Sequence, residues 1–371
     1  METQTFPSLH TPPLPTLPFD LIADIFSRLP VKLLLQLRCL CKSFNSLISD
    51  PKFVKKHLQF SIKRPHLVVN STNNLDELLL FDSPMSSIFS ISTAMQTHLS
   101  YPITPINVGY GIPMGFSSCD GMLCFAIHAN SVVLWNPSIR KFKLLPRLQS
   151  PSQINPIFIY SFGYVRFIDN YKIVSISFSI KDHIDVSVNT IGTDFWRRIH
   201  GFPYCNTIRG SGVFVRDSVN WLAYDASSSS LHAIVSLDLE KDSYQKLSIP
   251  DLKRENCTLG VVTDCLYIFE CNDMFFDVWV MKEYGNKESW TKIYNIPYMK
   301  DHVFYSYAKA LYISEDDQLL INFYDLTSKK LKLLIYDSKN RIWKIPDIHN
   351  IKCISNSEVY IESLISPFSR G

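Results

Sequence analysis

Five segments of the chain repeat one pattern at intervals near 50 residues, and no other feature restricts its folding as much. Each holds an apolar strand, a polar turn, an aromatic residue, then basic or polar residues and an apolar–Pro ending. They are VVLWNPSIRKFKLLP (132–146), VSVNTIGTDFWRRIHGFP (186–203), IVSLDLEKDSYQKLSIP (234–250), VWVMKEYGNKESWTKIYNIP (278–297) and LLIYDSKNRIWKIP (333–346). The aromatics Phe142, Trp196, Tyr244, Trp290 and Trp343 stand 54, 48, 46 and 53 residues apart. A period near 50 with about four strands per unit is the signature of a kelch-type β-propeller. Residues 66–371 leave room for about six such units, the weakest match being the first, around ELLLFDSP (77–84). Within a unit, the strand before the turn and the strand carrying the aromatic form a hairpin, and the aromatic packs between neighbouring blades. A lone four-stranded blade cannot bury both faces, so the units need one another and circular closure protects their edges. Because the repeats are imperfect, an irregular β-sandwich is the alternative.

Short runs such as HLVV (66–69), YKIVSISFSI (171–180), CLYIFE (265–270) and LLINFY (319–324) supply the strands, separated by Asn, Asp, Ser, Pro and Gly. Ahead of them the pattern is helical. Residues 1–16 carry four prolines and read as a flexible leader. Leu21, Ile22, Ile25, Phe26 and Leu29 then fall on one helical face, with Pro18 in the first turn and Pro30 as the stop. A second helix fits Val31–Arg38, and a third carries Leu40, Phe44, Leu47 and Ile48. Asp50-Pro51 caps a fourth piece bearing Phe53, Val54 and Leu58. So short a helical part exposes more apolar surface than it can bury alone. Either the helices dock on the β part, or the apolar stripe is a partner surface.

Composition excludes several classes. Hydrophobic residues are 46% and charged ones 19%, which no intrinsically disordered chain combines. The net charge of +3 is too small for a protein that lives on phosphate contacts, so no nucleic-acid partner is expected. No apolar run reaches the roughly 18 residues of a membrane span, and the N-terminus lacks the pattern of a signal peptide. Nine cysteines without a C-x-x-C pair argue against zinc and against a disulfide framework. The chain reads as intracellular and reduced. Metalloprotease, P-loop and nucleophile-elbow motifs are missing. Val108–Gly115 resembles a phosphate loop only superficially. Asp316-Asp317 and Asp273/Asp277 read as turn carboxylates, and Cys39-x-Cys41 as helix packing. Trp196-Arg197-Arg198 and Trp290-Thr291-Lys292 read as a buried aromatic with solvated neighbours. No catalytic residue, cofactor or metal is expected.

Residues 17–58, LPFDLIADIFSRLPVKLLLQLRCLCKSFNSLISDPKFVKKHL, closely resemble the F-box motif of plant F-box proteins. SSCDGMLCF (117–125), LWNPSIRKFKLLP (134–146), DNYKIVSI (169–176), IVSLDLE (234–240) and YIESLISP (360–367) resemble the F-box-associated, kelch-like region of the same family. The resemblance implies a short three-helix F-box at 17–60, followed by a mostly-β domain at 61–371, an α+β multidomain chain. It implies a substrate-recognition subunit of an SCF ubiquitin ligase, in the cytoplasm or nucleus. The F-box would dock on the adaptor Skp1 (ASK in plants), and through it on cullin-1 and a RING subunit. The β domain would capture a protein substrate, and the chain itself would be non-catalytic. Carried over by position, the docking surface would be Leu17, Pro18, Leu21, Ile22, Ile25, Phe26, Leu29, Pro30, Leu34, Leu35, Leu37, Leu40, Cys41, Lys42, Phe44 and Leu47. Leu33 stands where the family usually has Ser, Gln36 where a basic residue is usual, and Phe44 where Trp is common. A propeller that had lost its F-box affinity would be a non-ligase binding module. A propeller enzyme would need convergent ionisable groups at the channel mouth.

Overall fold

The computed structural model describes residues 17–368 apart from 73–77, 91–95, 101, 104–115, 129, 150–156, 179–183, 204–206, 225–231, 253–256, 273–274, 299–304, 326–327, 329 and 349–353. Four short helices lead the chain: α1 (Phe19–Phe26), α2 (Val31–Leu37), α3 (Lys42–Ser49) and α4 (Pro51–Ser61). Prolines and polar caps cut the helical run into pieces. Pro18 and Pro30 stand just ahead of α1 and α2, where a missing N–H costs nothing. Asp50 Oδ1 accepts from the backbone N–H of Lys52 (2.7 Å) and Phe53 (3.2 Å), with Pro51 as the first residue of α4. Leu40 lies in the turn before α3 and Cys41 is its N-cap, so the expected helical Cys39-x-Cys41 pair sits in a turn instead.

The strands then build six four-stranded antiparallel blades. Blade I holds β1 (Pro65–Thr72), β2 (Leu78–Pro84) and β3 (Thr97–Leu99), with the helix α5 (Met85–Phe89) between the last two. Blade II is β4 (Ser117–Cys119), β5 (Met122–His128), β6 (Ser131–Asn136) and β7 (Lys141–Leu144); blade III is β8 (Ile157–Val165), β9 (Asn170–Phe178), β10 (Asp185–Thr190) and β11 (Arg197–Ile199). Blade IV is β12 (Thr207–Val215), β13 (Ser218–Tyr224), β14 (His232–Asp238) and β15 (Ser243–Leu247). Blade V is β16 (Cys257–Val262), β17 (Cys265–Cys271), β18 (Phe275–Met281) and β19 (Trp290–Pro297); blade VI is β20 (Tyr305–Ile313), β21 (Gln318–Asp325), β22 (Lys330–Asp337) and β23 (Ile342–Lys344).

The last strand, β24 (Ile354–Ile361), pairs antiparallel with β1, from Pro65 opposite Ile361 to Ser71 opposite Ile354, and so completes blade I from the far end of the chain. The innermost strands β24, β4, β8, β12, β16 and β20 touch in that order and β20 touches β24 again, so the ring is closed. This is the six-unit propeller that the repeat predicts, not a sandwich. Between blades the core is apolar: Phe269, Phe276 and Ile296 of blade V meet Ala308, Leu319 and Phe323 of blade VI. Inner strands carry glycine where a ring must lie flat. A Cβ on Gly212 would come within 2.7 Å of the Trp221 ring, so the strand there admits nothing larger.

Candidate functional site

The helices share a small core of Phe26, Val31, Leu34, Ile48 and Phe53, with Leu364 entering from the segment after β24. Phe44 packs edge-on against Phe26, ring centres 4.9 Å apart. His57 on α4 is buried and its Nε2 lies 2.9 Å from Leu29 O, which ties α4 to the turn between α1 and α2. Burial and the nearby Arg64 guanidinium hold the imidazole below its ordinary pKa, although the bond to Leu29 pulls the other way.

With the core filled from inside, the outward face is left bare. Leu17, Phe19, Leu21, Ile25, Leu33 and Leu40 are 45 to 69% exposed. Leu29, Leu33, Gln36, Leu37 and Leu40 line an open, almost wholly apolar groove of about 380 Å³. Burying one such side chain against a partner stabilises by about 1.5–3 kcal/mol. Of the positions carried over from the resemblance, Leu17, Pro18, Leu21, Ile25, Pro30, Leu40, Cys41 and Lys42 are exposed. Ile22, Leu29, Leu35, Leu37, Phe44 and Leu47 are half-buried against the helical core, and Leu29 and Leu37 also line the groove. Phe26 and Leu34 are buried core, so they shape the face from beneath and cannot touch a partner directly. Phe19 is exposed too, and Leu33 and Gln36 line the groove, although the resemblance carries over none of the three. Leu33 stands four residues after Leu29 and four before Leu37, a helical spacing that would have placed it in the groove.

The fourth helix answers the question that patterning left open. Val54 and Leu58 of α4 pack on the core between blades II and III, and Lys55 Nζ meets the Asp169 carboxylate at 2.9 Å. Asp169 lies in the turn between β8 and β9, and Ile139, in the turn between β6 and β7, reaches the helical core. The helices therefore sit on the propeller end formed by the tight turns, where Asp120, Asp169, Asp217, Asp264 and Asp317 adopt positive φ. The ends of the second strands and the starts of the third face the opposite way. One helical face is docked and the other is free.

The F-box domain model matches residues 14–56, and the F-box associated beta propeller domain model matches residues 86–367. The chain belongs to the F-box-associated β-propeller family. The Arabidopsis thaliana F-box/kelch-repeat protein At3g23880 is 29% identical over 95% of this chain and 96% of its own. F-box protein CPR1 of the same plant is 27% identical over 94% of this chain and 89% of its own. Among solved structures, TolB from Acinetobacter baumannii shares the fold alone, with a TM-score of 0.50 and 7% identity over 80% of this chain and 66% of that one.

Beneath the F-box, blades II and III bring ionisable groups together. Tyr171 donates to Asp120 (2.8 Å), Tyr164 donates to Asp169, and Cys119 lies beside them. Burial pushes the Cys119 thiol and the Tyr171 hydroxyl up, so both keep their protons, and the Asp120 carboxyl is raised by burial against the pull of Tyr171. The cluster lies under α4, whose Val54 and Leu58 pack on the same core and whose Lys55 meets Asp169. Elsewhere, Asp277 is saturated by Lys292 (2.8 Å), Asn272 (3.1 Å) and Asn295 (2.6 Å), while Asp273 and Val108–Gly115 lie outside the described residues. Arg197 of the Trp196-Arg197-Arg198 motif pairs with Asp242, and Arg198 with Asp185 at 3.2 Å. Among the described residues no three His, Cys, Asp or Glu side chains are grouped to hold a metal, and no helix is long and apolar enough to cross a membrane.

Proposed function

We propose that this chain is the substrate-recognition subunit of an SCF-type ubiquitin ligase. Its F-box docks on a Skp1-type adaptor, which links it to cullin-1 and a RING subunit. The propeller holds a target protein, and the working compartment is the cytoplasm or nucleus. One observation carries the reading: the apolar face of Leu17, Leu21, Ile25, Leu33 and Leu40 stays bare although α4 of the same domain is packed on the propeller. An exposed apolar patch with a groove fits an apolar helical partner face.

On this reading the chain forms and breaks no bond. It raises the effective concentration of a target lysine beside a loaded conjugating enzyme, turning a slow bimolecular transfer into a nearly intramolecular one. Substrate is read at the propeller end opposite the F-box, because the end beneath the helices is covered by α4. Co-expression of the full chain with a plant Skp1 adaptor tests the adaptor half. A stoichiometric complex that survives purification, and is lost with Leu21→Asp or Ile25→Asp, is expected. No complex with any of several adaptors would leave a non-ligase binding module.

A further inference from the structure

The segment that follows β24 joins units that the rest of the chain keeps apart. Leu364 enters the F-box core beside Phe26, Leu34 and Phe53. Its neighbour Ile365 turns the other way, into the core between blades II and III. Asn136, fully buried at the end of β6, clamps the segment between those two side chains. Its Nδ2 donates to Ser363 O (3.0 Å), Ser363 Oγ (3.0 Å) and Ile365 O (2.8 Å). The Asn136 Oδ1 accepts from Ser138 N at 2.9 Å, which sets the direction of the amide. Gly121 admits the close approach. At φ +81 it has only hydrogen where a Cβ would strike Ser363 and lie 2.6 Å from Ile361 O.

Closing the ring requires β24 and nothing after it. Residues 363–365 are nevertheless buried on both sides, one side chain in each domain. Three residues, Ile62 to Arg64, join α4 to β1, and Arg64 Nη2 reaches back to Leu29 O at 3.3 Å. The F-box is therefore held at three places: this short joint, the α4 seat and the segment after β24.

We infer that residues 363–365 are a strap that locks the F-box to the propeller in one orientation, with Leu364 as the positioning residue and Asn136 as its clamp. The inference deepens the ligase reading and rests on it for its purpose. A fixed angle between the adaptor face and the opposite propeller end keeps a captured lysine at one place, instead of averaging it over a swinging domain.

Native-state hydrogen exchange on the full chain tests it. The amides of α2, α3 and α4 and those of residues 363–366 should open as one unit, with opening constants agreeing within roughly threefold. Leu364→Ala should raise trypsin cleavage after Lys63, the cleavable bond of the joint since Pro65 protects Arg64, by about tenfold or more while exchange in the propeller strands stays unchanged, and Leu364→Met should restore the slow rate. Independent opening of strap and helices in the unaltered chain, or an unchanged cleavage rate in a folded Leu364→Ala chain, would overturn the inference. If Leu364→Ala does not fold, the exchange pattern of the unaltered chain decides. Adaptor capture is measured separately. Joint opening without an adaptor complex keeps the strap and removes the ligase reading; an adaptor complex with independent opening does the reverse.

Discussion

Trp196, just ahead of β11 in blade III, donates its indole N–H to the carbonyl of Pro146, 2.8 Å away at the end of blade II. The same link recurs around the ring. Trp290 of blade V donates to Ser248 of blade IV at 2.9 Å, and Trp343 of blade VI to Pro297 of blade V at 3.1 Å. The aromatic and the apolar–Pro ending of the repeat are thus two halves of one inter-blade hydrogen bond. Tyr244 holds the position in blade IV and packs edge-on against Phe202 instead, ring centres 5.4 Å apart.

Replacing the donor should separate these positions. Trp196→Phe removes one hydrogen bond and some ring area, a loss of about 1–2 kcal/mol. Tyr244→Phe should be neutral or slightly stabilising, because the buried Tyr244 hydroxyl has no partner among the described residues. Urea unfolding of the two variants is the check. Equal losses would mean that the hydrogen bond contributes nothing beyond packing.

The inner-strand glycines make a second prediction. On Gly163 a Cβ would run into the Phe214 ring, and on Gly260 into the ring of Tyr267, its direct partner across the ladder. Gly163→Ala and Gly260→Ala should each destabilise by about 1–3 kcal/mol through overpacking. Gly285→Ala meets open space, and only its φ of +85 opposes the change, at about 1 kcal/mol. Thermal melts of the three variants should rank in that order.

Sequence pattern went far where its periods are local. The spacing from Phe142 to Trp343 gives the propeller, and Asp50-Pro51 gives the start of α4, since each is decided within a few residues of itself. Closure was out of reach. The partner of β24 is β1, nearly the whole chain away, and ISNSEVYI carries no mark of which edge it joins. Leu33 was set aside as a departure from the family pattern, although its helical phase with Leu29 and Leu37 puts it in the groove. Phe26 and Leu34 are the converse, buried in the helical core: a stripe of apolar residues does not say which of them the helices bury among themselves. The strap was invisible for the same reason as the closure, because Leu364 meets a core more than 300 residues earlier in the chain.

The bare F-box face allows surface and core to be told apart. Leu40→Ala alters an exposed groove residue, so the chain should fold with unchanged stability while, on the adaptor reading, affinity falls about tenfold or more, as for a well-packed interface anchor. Leu34→Ala should do the opposite in order of cause, destabilising the F-box by about 2–5 kcal/mol through a cavity in its core and weakening capture only as a result. Adaptor titration alongside exchange protection of 19–61 checks this. A destabilised Leu40→Ala chain would refute the surface assignment.

Acid should act on the two ends of the F-box–propeller junction in opposite senses. His57 has its pKa lowered, chiefly by burial, with Leu29 O, Ser61, Phe53 and Arg64 around it. Its neutral form is the folded one, so its contribution is complete above the unfolded value near 6.5 and is lost as pH falls below it. His66 on β1 is also buried, which opposes its charge. The Asp82 carboxylate at 3.0 Å, helped by Glu362 and against Arg64, outweighs burial and raises its pKa. That stabilisation is present below 6.5 and fades as pH rises through the raised folded value. Hydrogen exchange at pH 7.5 and 5.5 should therefore show protection of residues 19–61 falling in acid while that of β1 and β24 holds or rises. His57→Gln should abolish the first change and leave the second. A uniform loss across both regions would show that neither histidine governs its own end.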